Sequence, residues 1–246
     1  MNIVYLAYRS WNLKILELLL KEEKNKPWKI SLIIAPHDIE LGNVKGVNGK
    51  KILKIDPTKI SEIAELIQKD SPEVILCYSW SWILPSAILN IAPCWIMHPS
   101  KLPKYRGGSP IQNQLLDGVK ESAVTVLKAE NEVDAGEIYG QEAINFEGYL
   151  QDIFDRIADT GGKLTLTLLD QLSSGTLQGI KQDHTKATLC KRRKPSMSEI
   201  TLDDIKTKPA TYLYNKIRGL QEPYPEAFIV CGDGRKLFIT KAHPEK

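Results

Sequence analysis

Residues 94–114 read C-W-I-M-H-P-S-K-L-P-K-Y-R-G-G-S-P-I-Q-N-Q. Four mostly apolar residues deliver one histidine, His98, into a loop dense in proline, glycine and cations. Pro99, Pro103 and Pro110 fix φ along that loop, and Gly107-Gly108 permits close approach of backbone to a ligand. A short buried strand that ends on a titratable group and opens into a stiff loop points to an α/β sheet, because such folds place their chemistry at strand ends.

The flanking chain agrees. Residues 2–8, 29–35 and 73–78 are apolar runs of the kind that form strands buried on both faces. Residues 12–20 and 57–70 between them carry apolar side chains at helical spacing. Strand alternating with helix predicts a Rossmann-like, doubly wound, mostly parallel sheet. Residues 41–50, L-G-N-V-K-G-V-N-G-K, read as a mobile loop, and 52–55 as a short strand. Downstream, a helix over 109–116 opens on Ser-Pro. Strands over 123–129 and 137–144 flank the acidic turn E-N-E-V-D-A-G, and a long amphipathic helix covers 151–172. After Ser173-Ser174-Gly175 come the basic run C-K-R-R-K-P (190–195), an acidic-capped segment from Thr201 and a helix near 210–220. Strands over 227–230 and 236–241 follow, joined by C-G-D-G-R, a hairpin turn signal. The chain thus ends in a small helix and β-hairpin extension.

With 246 residues, 42% hydrophobic and 26% charged, the chain can build one large domain, or one domain with a small appendage. A formal net charge of +3 suits an anionic substrate but is too weak alone to indicate nucleic acid. Cys77, Cys94, Cys190 and Cys231 are scattered, which fits reduced thiols in a cytoplasmic protein. The start M-N-I-V-Y-L-A-Y carries no cationic leader, and no apolar run reaches bilayer length. The first strand-to-helix turn, A-Y-R-S-W, has no glycine, so NAD or FAD binding is disfavoured, and no G-K-[ST] loop appears.

Two residues are candidates for chemistry. A lone histidine is more often a satisfied core residue than a catalyst, but the strand-end position of His98 and the loop after it favour function. Asp134, in V-D-A-G, would ordinarily be a turn aspartate bonding its own backbone. On neighbouring strand ends the two could orient each other and fix the imidazole tautomer.

The motif H-P-S-K-L-P-K-Y-R-G-G-S-P-I-Q (98–112), followed by V-T-V (124–126) and D-A-G-E-I (134–138), resembles the formyltetrahydrofolate-dependent formyltransferase family. That family includes methionyl-tRNA formyltransferase, glycinamide ribonucleotide formyltransferase and the sugar N-formyltransferases. The separation 134 − 98 = 36 is that of the family's catalytic histidine and aspartate. The form R-G-G-S-P-I-Q looks most like the branch acting on nucleotide-linked 4-amino-4,6-dideoxy sugars. The resemblance covers residues 73–172 well and continues weakly through K-R-R-K-P and L-Y-N-K-I-R-G-L-Q-E-P-Y-P-E-A-F.

The resemblance implies formyl transfer from N10-formyltetrahydrofolate to a primary amine, with no metal. His98 would stabilise the oxyanion and move the proton, and Asp134 would hold His98. Folate would lie along the loop 78–85, with Tyr78, Trp80, Trp82, Ile83 and Leu84, and against Val133 and Asp134. Core packing is an equal expectation for Trp80 and Trp82. Ser100, Lys104, Tyr105, Arg106, Gly107, Gly108 and Gln112 would face the acceptor, a dTDP-linked amino sugar for a bacterial surface glycan. Lys191, Arg192 and Arg193 would neutralise its diphosphate, although four such charges are more often a solvated turn, and Arg106 could instead tie the loop down. Residues 1–180 would form the catalytic domain and 181–246 an extension for substrate binding or dimerisation, giving a homodimer. No nucleic-acid or membrane partner is expected.

One position departs from the family pattern. Where the family carries an asparagine as oxyanion donor, this chain has Ile96, so Gln112, Asn113 or water would have to substitute. A methionyl-tRNA formyltransferase is the same-class rival, though 246 residues leave little room for its additional C-terminal domain. A hydrolase of the folate, and a folate- or RNA-binding module with a decayed site, are the others.

Overall fold

The structure, a computed structural model, describes residues 1–245. Alternation within the strands builds it. In β1 (Asn2–Leu6), Ile3 and Tyr5 face one layer while Val4 and Leu6 face the other. In β2 (Lys29–Pro36), Ile33 and Ala35 face the first layer, Leu32 and Ile34 the second. Helix α1 (Ser10–Glu22) joins these strands, and β3 (Ile52–Ile55) and α2 (Ile60–Asp70) follow. Then come β4 (Val74–Leu76), the short α3 (Ser86–Leu89), β5 (Cys94–His98), the two-residue β6 (Arg106–Gly107) and α4 (Pro110–Leu116). β7 (Glu121–Lys128), β8 (Ile138–Asn145) and the long α5 (Leu150–Ser173) complete the main body.

The sheet runs β3-β2-β1-β4-β5-β7-β8. The first five strands are parallel, and β7 and β8 continue the sheet antiparallel to their neighbours. α1 and α5 pack on one face through Ile15, Leu16, Leu19, Ile153 and Ile157. On the other face, Ile63 and Ile67 of α2 and Ile88 of α3 close the second core. Strand order reverses between β1 and β4, so a crevice opens beyond their carboxyl ends, where open α/β sheets bind ligands.

The remaining chain pairs β9 (Leu189–Cys190) with β6, then folds α6 (Leu202–Thr207), α7 (Ala210–Arg218) and the hairpin β10 (Ala227–Val230) and β11 (Lys236–Ile239). Ile200, Ile217, Leu220 and Ala227 form a small core of its own. Arg218 ties it to the main body, donating to the carbonyls of Phe146 and Gly148. The loop expected to be mobile is pinned instead. Leu41, Val44 and Val47 are buried in the first core, because their spacing lets three apolar residues of a glycine-rich segment reach it. No helix among the described residues is long and apolar enough to cross a membrane.

Asn12, fully buried in α1, secures the crevice. Its amide donates to the carbonyls of Tyr78 (2.7 Å) and Leu6 (3.4 Å), and its oxygen accepts from Tyr8 N–H (3.1 Å). One side chain thus joins the ends of β1 and β4 across the reversal. Asn12→Leu orphans these buried backbone groups and is expected to destabilise the fold by about 3 kcal/mol. A urea titration would read this as a lower midpoint at unchanged slope.

Candidate active site

Along β5 the side chains divide by parity. Trp95 and Met97 enter the first core, Cys94 and Ile96 the second, and His98 follows on the second face. His98 is only 6% exposed. Its Nδ1 lies 3.3 Å from Asp134 Oδ2, and its Nε2 lies 2.7 Å from the carbonyl oxygen of Tyr105. Asp134 Oδ2 also accepts from the N–H of Gly107 at 2.8 Å. Both ring nitrogens face acceptors, and a neutral imidazole can donate to only one.

The pair meets as expected, but not because two strand ends are adjacent. β7 is antiparallel to β5 and finishes beside Cys94, whose carbonyl accepts from Ala129 N–H. The following loop therefore has to run back along β5 to bring Asp134 to His98. Three features hold it there. Asp134 adopts a left-handed backbone (φ +51°). Gly136 passes so close to β7 that a Cβ would lie 2.0 Å from the Lys128 carbonyl oxygen.

The third feature is Gln182, buried and absent from the expected site. Its amide donates to the carbonyls of Asp134 (2.9 Å) and Gly136 (2.7 Å). Its oxygen accepts from Arg106 Nε (3.1 Å) and Nη2 (2.7 Å). Arg106 Nη1 lies 3.4 Å from both Glu132 Oε1 and His184 Nδ1. Arg106 is thus a buried clamp rather than a surface cation, which follows from the need to bond a desolvated guanidinium fully. No local pattern around Gln182 marks it; only the tertiary fold brings K-Q-D beneath D-A-G.

The 99–110 loop is similarly satisfied. Ser100 donates to the Lys104 carbonyl, Thr125 to the Ser100 carbonyl, and Gln114 to the carbonyls of Pro99 and Pro110. A Cβ on Gly107 (φ +98°) would lie 2.6 Å from the Cys190 carbonyl oxygen, and one on Gly108 2.6 Å from Arg192 Cα. The double glycine therefore seats the basic run directly on the 99–110 loop. Tyr105 donates its phenol to Asp117 (2.9 Å), and loss of water together with that bond pushes the phenol up to about 12.

The expected substrate contacts separate into two groups. Ser100 and Arg106 are buried, their donors directed to Lys104 O and Gln182, so they hold the loop rather than line its surface. Lys104, Lys191 and Arg192 remain at the surface beside it. Of the two amides expected to replace the missing asparagine, Asn113 donates to the carbonyls of Gly108 and Ser109, and Gln112 is buried with one bond, to Gly219 O at 3.3 Å, and an unpartnered Oε1.

On the folate side, Tyr78 turns into the first core, its phenol 3.0 Å from Thr165 Oγ1 and pushed up by burial. Trp80 and Trp82 pack 5.0 Å apart, centroid to centroid, with Tyr8 5.1 Å from Trp82. Ile83 and Val133 stand exposed. A cavity of about 330 Å³ lies between Ser86, Leu89 and Asn90 on one side and residues 128–132 on the other. The peptide N–H groups of Ser81, Trp82, Ile83 and Leu84 have no protein acceptor among the described residues. Asn131 and Glu130 on the cavity wall offer donors and acceptors that suit the edge of a flat heterocycle. Among the described residues no group of three or more His, Cys, Asp or Glu is placed to hold a metal ion.

Comparison with known proteins identifies the architecture. Residues 40–169 match the model of formyl transferases, and residues 204–246 match the model of the formyl transferase C-terminal domain. The expectation that the chain has little room for a C-terminal domain therefore meets a match to one. A methionyl-tRNA formyltransferase of Campylobacter curvus is 30% identical over 242 residues, covering 94% of this chain and 78% of its own length. The structure of methionyl-tRNA formyltransferase from Clostridium thermocellum, 28% identical, superposes with a TM-score of 0.78 over all of this chain and 94% of its own. A 4-N formyltransferase from Francisella tularensis, 17% identical, shares the fold with a TM-score of 0.80, covering 100% of this chain and 98% of that one. HypX from Aquifex aeolicus in complex with tetrahydrofolic acid, 17% identical, also shares it, with a TM-score of 0.73 over 99% of this chain and 38% of that one. With more than half of the sequence matched by the family model and a relative 30% identical over 94% of this chain, the chain belongs to the formyl transferase family.

Proposed function

We propose that this protein transfers the formyl group of N10-formyltetrahydrofolate to the primary amine of a phosphate-bearing acceptor, and that the acceptor is an aminoacyl-tRNA of the methionyl type. The observation that carries the chemistry is the His98–Asp134 pair, closed by Gly107 N–H and buried at a strand end. The acceptor reading is supported by the 30% identity to a methionyl-tRNA formyltransferase over 94% of the chain. It displaces the sequence-based expectation of an amino sugar as first reading.

Bound N10-formyltetrahydrofolate supplies an electrophilic formyl carbon, and residues 81–84 and 128–134 would hold it. His98 takes the proton from the attacking amine at Nε2, once the substrate displaces the Tyr105 carbonyl from that nitrogen, and returns it to the leaving nitrogen. Asp134 keeps Nδ1 oriented and offsets the charge of the protonated ring. Gly107 N–H keeps Asp134 in one position. Lys104, Lys191 and Arg192 attract the acceptor's phosphates, which explains cations on a loop whose glycines admit no side chain. Residues 1–180 form the catalytic unit, and 181–246 present the cationic run and complete the clamp on Asp134.

A nucleotide-linked 4-amino sugar is the second reading. It is supported by R-G-G-S-P-I-Q, whose double glycine brings Arg192 against the catalytic loop and so places cation close to where a diphosphate-linked sugar amine would react.

Incubation with N10-formyltetrahydrofolate and either methionyl-tRNA or a panel of dTDP-, UDP- and GDP-linked 4-amino sugars separates the two readings. Acceleration of tetrahydrofolate release by the tRNA is expected; acceleration by a sugar alone would favour the second reading, and by neither would refute both. His98→Ala and Asp134→Ala are each expected to lower kcat about 10²–10⁴-fold while circular dichroism stays unchanged. Gln182→Ala, which frees the Asp134 turn, is expected to lower kcat about 10²-fold with little change in KM. Gln182→Glu keeps the acceptor for Arg106 but loses both donated bonds, and should fall between.

A further inference from the structure

His98 cannot act as a base in the geometry it has here. To take a proton, its ring must carry hydrogen on Nδ1, towards Asp134, and a lone pair on Nε2. That lone pair would face the carbonyl oxygen of Tyr105 at 2.7 Å, two acceptors set against each other. With hydrogen on Nε2 the contact becomes a sound hydrogen bond, but the nitrogen is then committed to Tyr105. The Tyr105 carbonyl therefore covers the working atom of the site, and the arrangement is a resting one.

Thr188 holds the covering peptide. It grips both amides that flank the Tyr105 Cα: its hydroxyl accepts from Tyr105 N–H at 2.8 Å, and its carbonyl accepts from Arg106 N–H at 2.9 Å. The phenol of Tyr105 adds a third hold by donating to Asp117 at 2.9 Å. The backbone itself resists. Tyr105 is left-handed, with φ +60°, a region that a bulky side chain enters only at a cost. A contact that blocks Nε2, held by three hydrogen bonds against local strain, is a cap poised to leave.

What the cap excludes follows from the chemistry. A formyl group beside an uncovered base is open to water, which outnumbers any amine. In that side reaction the water oxygen bonds to the formyl carbon and the bond to the folate nitrogen breaks. One water proton passes through His98 to that nitrogen, leaving formic acid and tetrahydrofolate. Opening is tied to the acceptor by connectivity: Thr188 runs into β9, and Lys191 and Arg192 follow it by three and four residues. An acceptor whose phosphates dock on those cations bears on the strand that holds the cap.

We propose that the Tyr105 carbonyl, positioned by Thr188, is a cap that keeps His98 from activating water until the acceptor displaces it, and so sets the preference for an amine over water. This assignment rests on the formyl-transfer reading above.

The test uses Thr188→Val, which keeps the shape and backbone bonds of Thr188 and removes only the hydroxyl. Thr188 is exposed, so the variant should fold as the parent does. Formate release from N10-formyltetrahydrofolate without acceptor is expected to rise about fivefold, as for the loss of one hydrogen bond, while formyl transfer to the acceptor that the parent uses stays within about twofold. Tyr105→Phe, which frees the ring from Asp117, should shift formate release the same way. Diethyl pyrocarbonate, which acylates an uncovered imidazole nitrogen, should label His98 faster in both variants, as read by peptide mass spectrometry. Formate release unchanged in both variants, formate release falling together with formyl transfer, or labelling of His98 no faster than in the parent would overturn the cap. A parent that formylates no acceptor would instead overturn the reading on which it rests.

Discussion

A buried guanidinium sets the terms of this active site. Arg106 is 1% exposed and cannot leave its donors unmet, so Gln182, Glu132 and His184 gather around it. A lone buried charge costs several kcal/mol, of the order of the whole stability of a domain, and the carboxamide of Gln182 both meets that charge and turns its own N–H groups onto Asp134 and Gly136. The carboxylate that orients His98 is thus anchored from beneath by a group with another obligation. Breaking the clamp would disturb fold and chemistry together.

The same economy appears across the sheet. The reversal between β1 and β4 opens the crevice, and Asn12 closes the backbone around it. Glycines at 107 and 108 let the strand β9 lie on the catalytic loop, so the cations that follow it arrive at the site without needing long side-chain reach. The antiparallel β7 sends its loop back along β5, and that loop walls a cavity together with Ser86, Leu89 and Asn90.

Much of this was legible in the sequence. Continuous apolar runs gave β1, β2, β4 and β5 and hence the parallel core, and C-G-D-G-R gave the last hairpin. The pairing of His98 with Asp134 was suggested by the strand-end position of the histidine and by the family resemblance, and the two side chains do lie together. What was not legible is tertiary. Gln182 sits in an ordinary polar segment and acquires its role only when folding places it under the D-A-G turn. Ser100 carries a polar group that a linear reading sends to the substrate, whereas burial commits it to the loop; Arg106, for which the sequence left both roles open, is buried on Gln182. Leu41, Val44 and Val47 sit among glycines and asparagines whose local signal masked their burial.

The claim that this geometry serves acyl transfer to an amine is tested most directly by following the formyl carbon itself. With N10-formyltetrahydrofolate carrying an isotopic label in the formyl group and methionyl-tRNA as acceptor, one turnover should place the label in an amide on the acceptor, matched one for one by tetrahydrofolate. Label released as formate, with none on tRNA or on any amino-sugar acceptor, would make the protein a hydrolase and contradict the role given to His98 and Asp134.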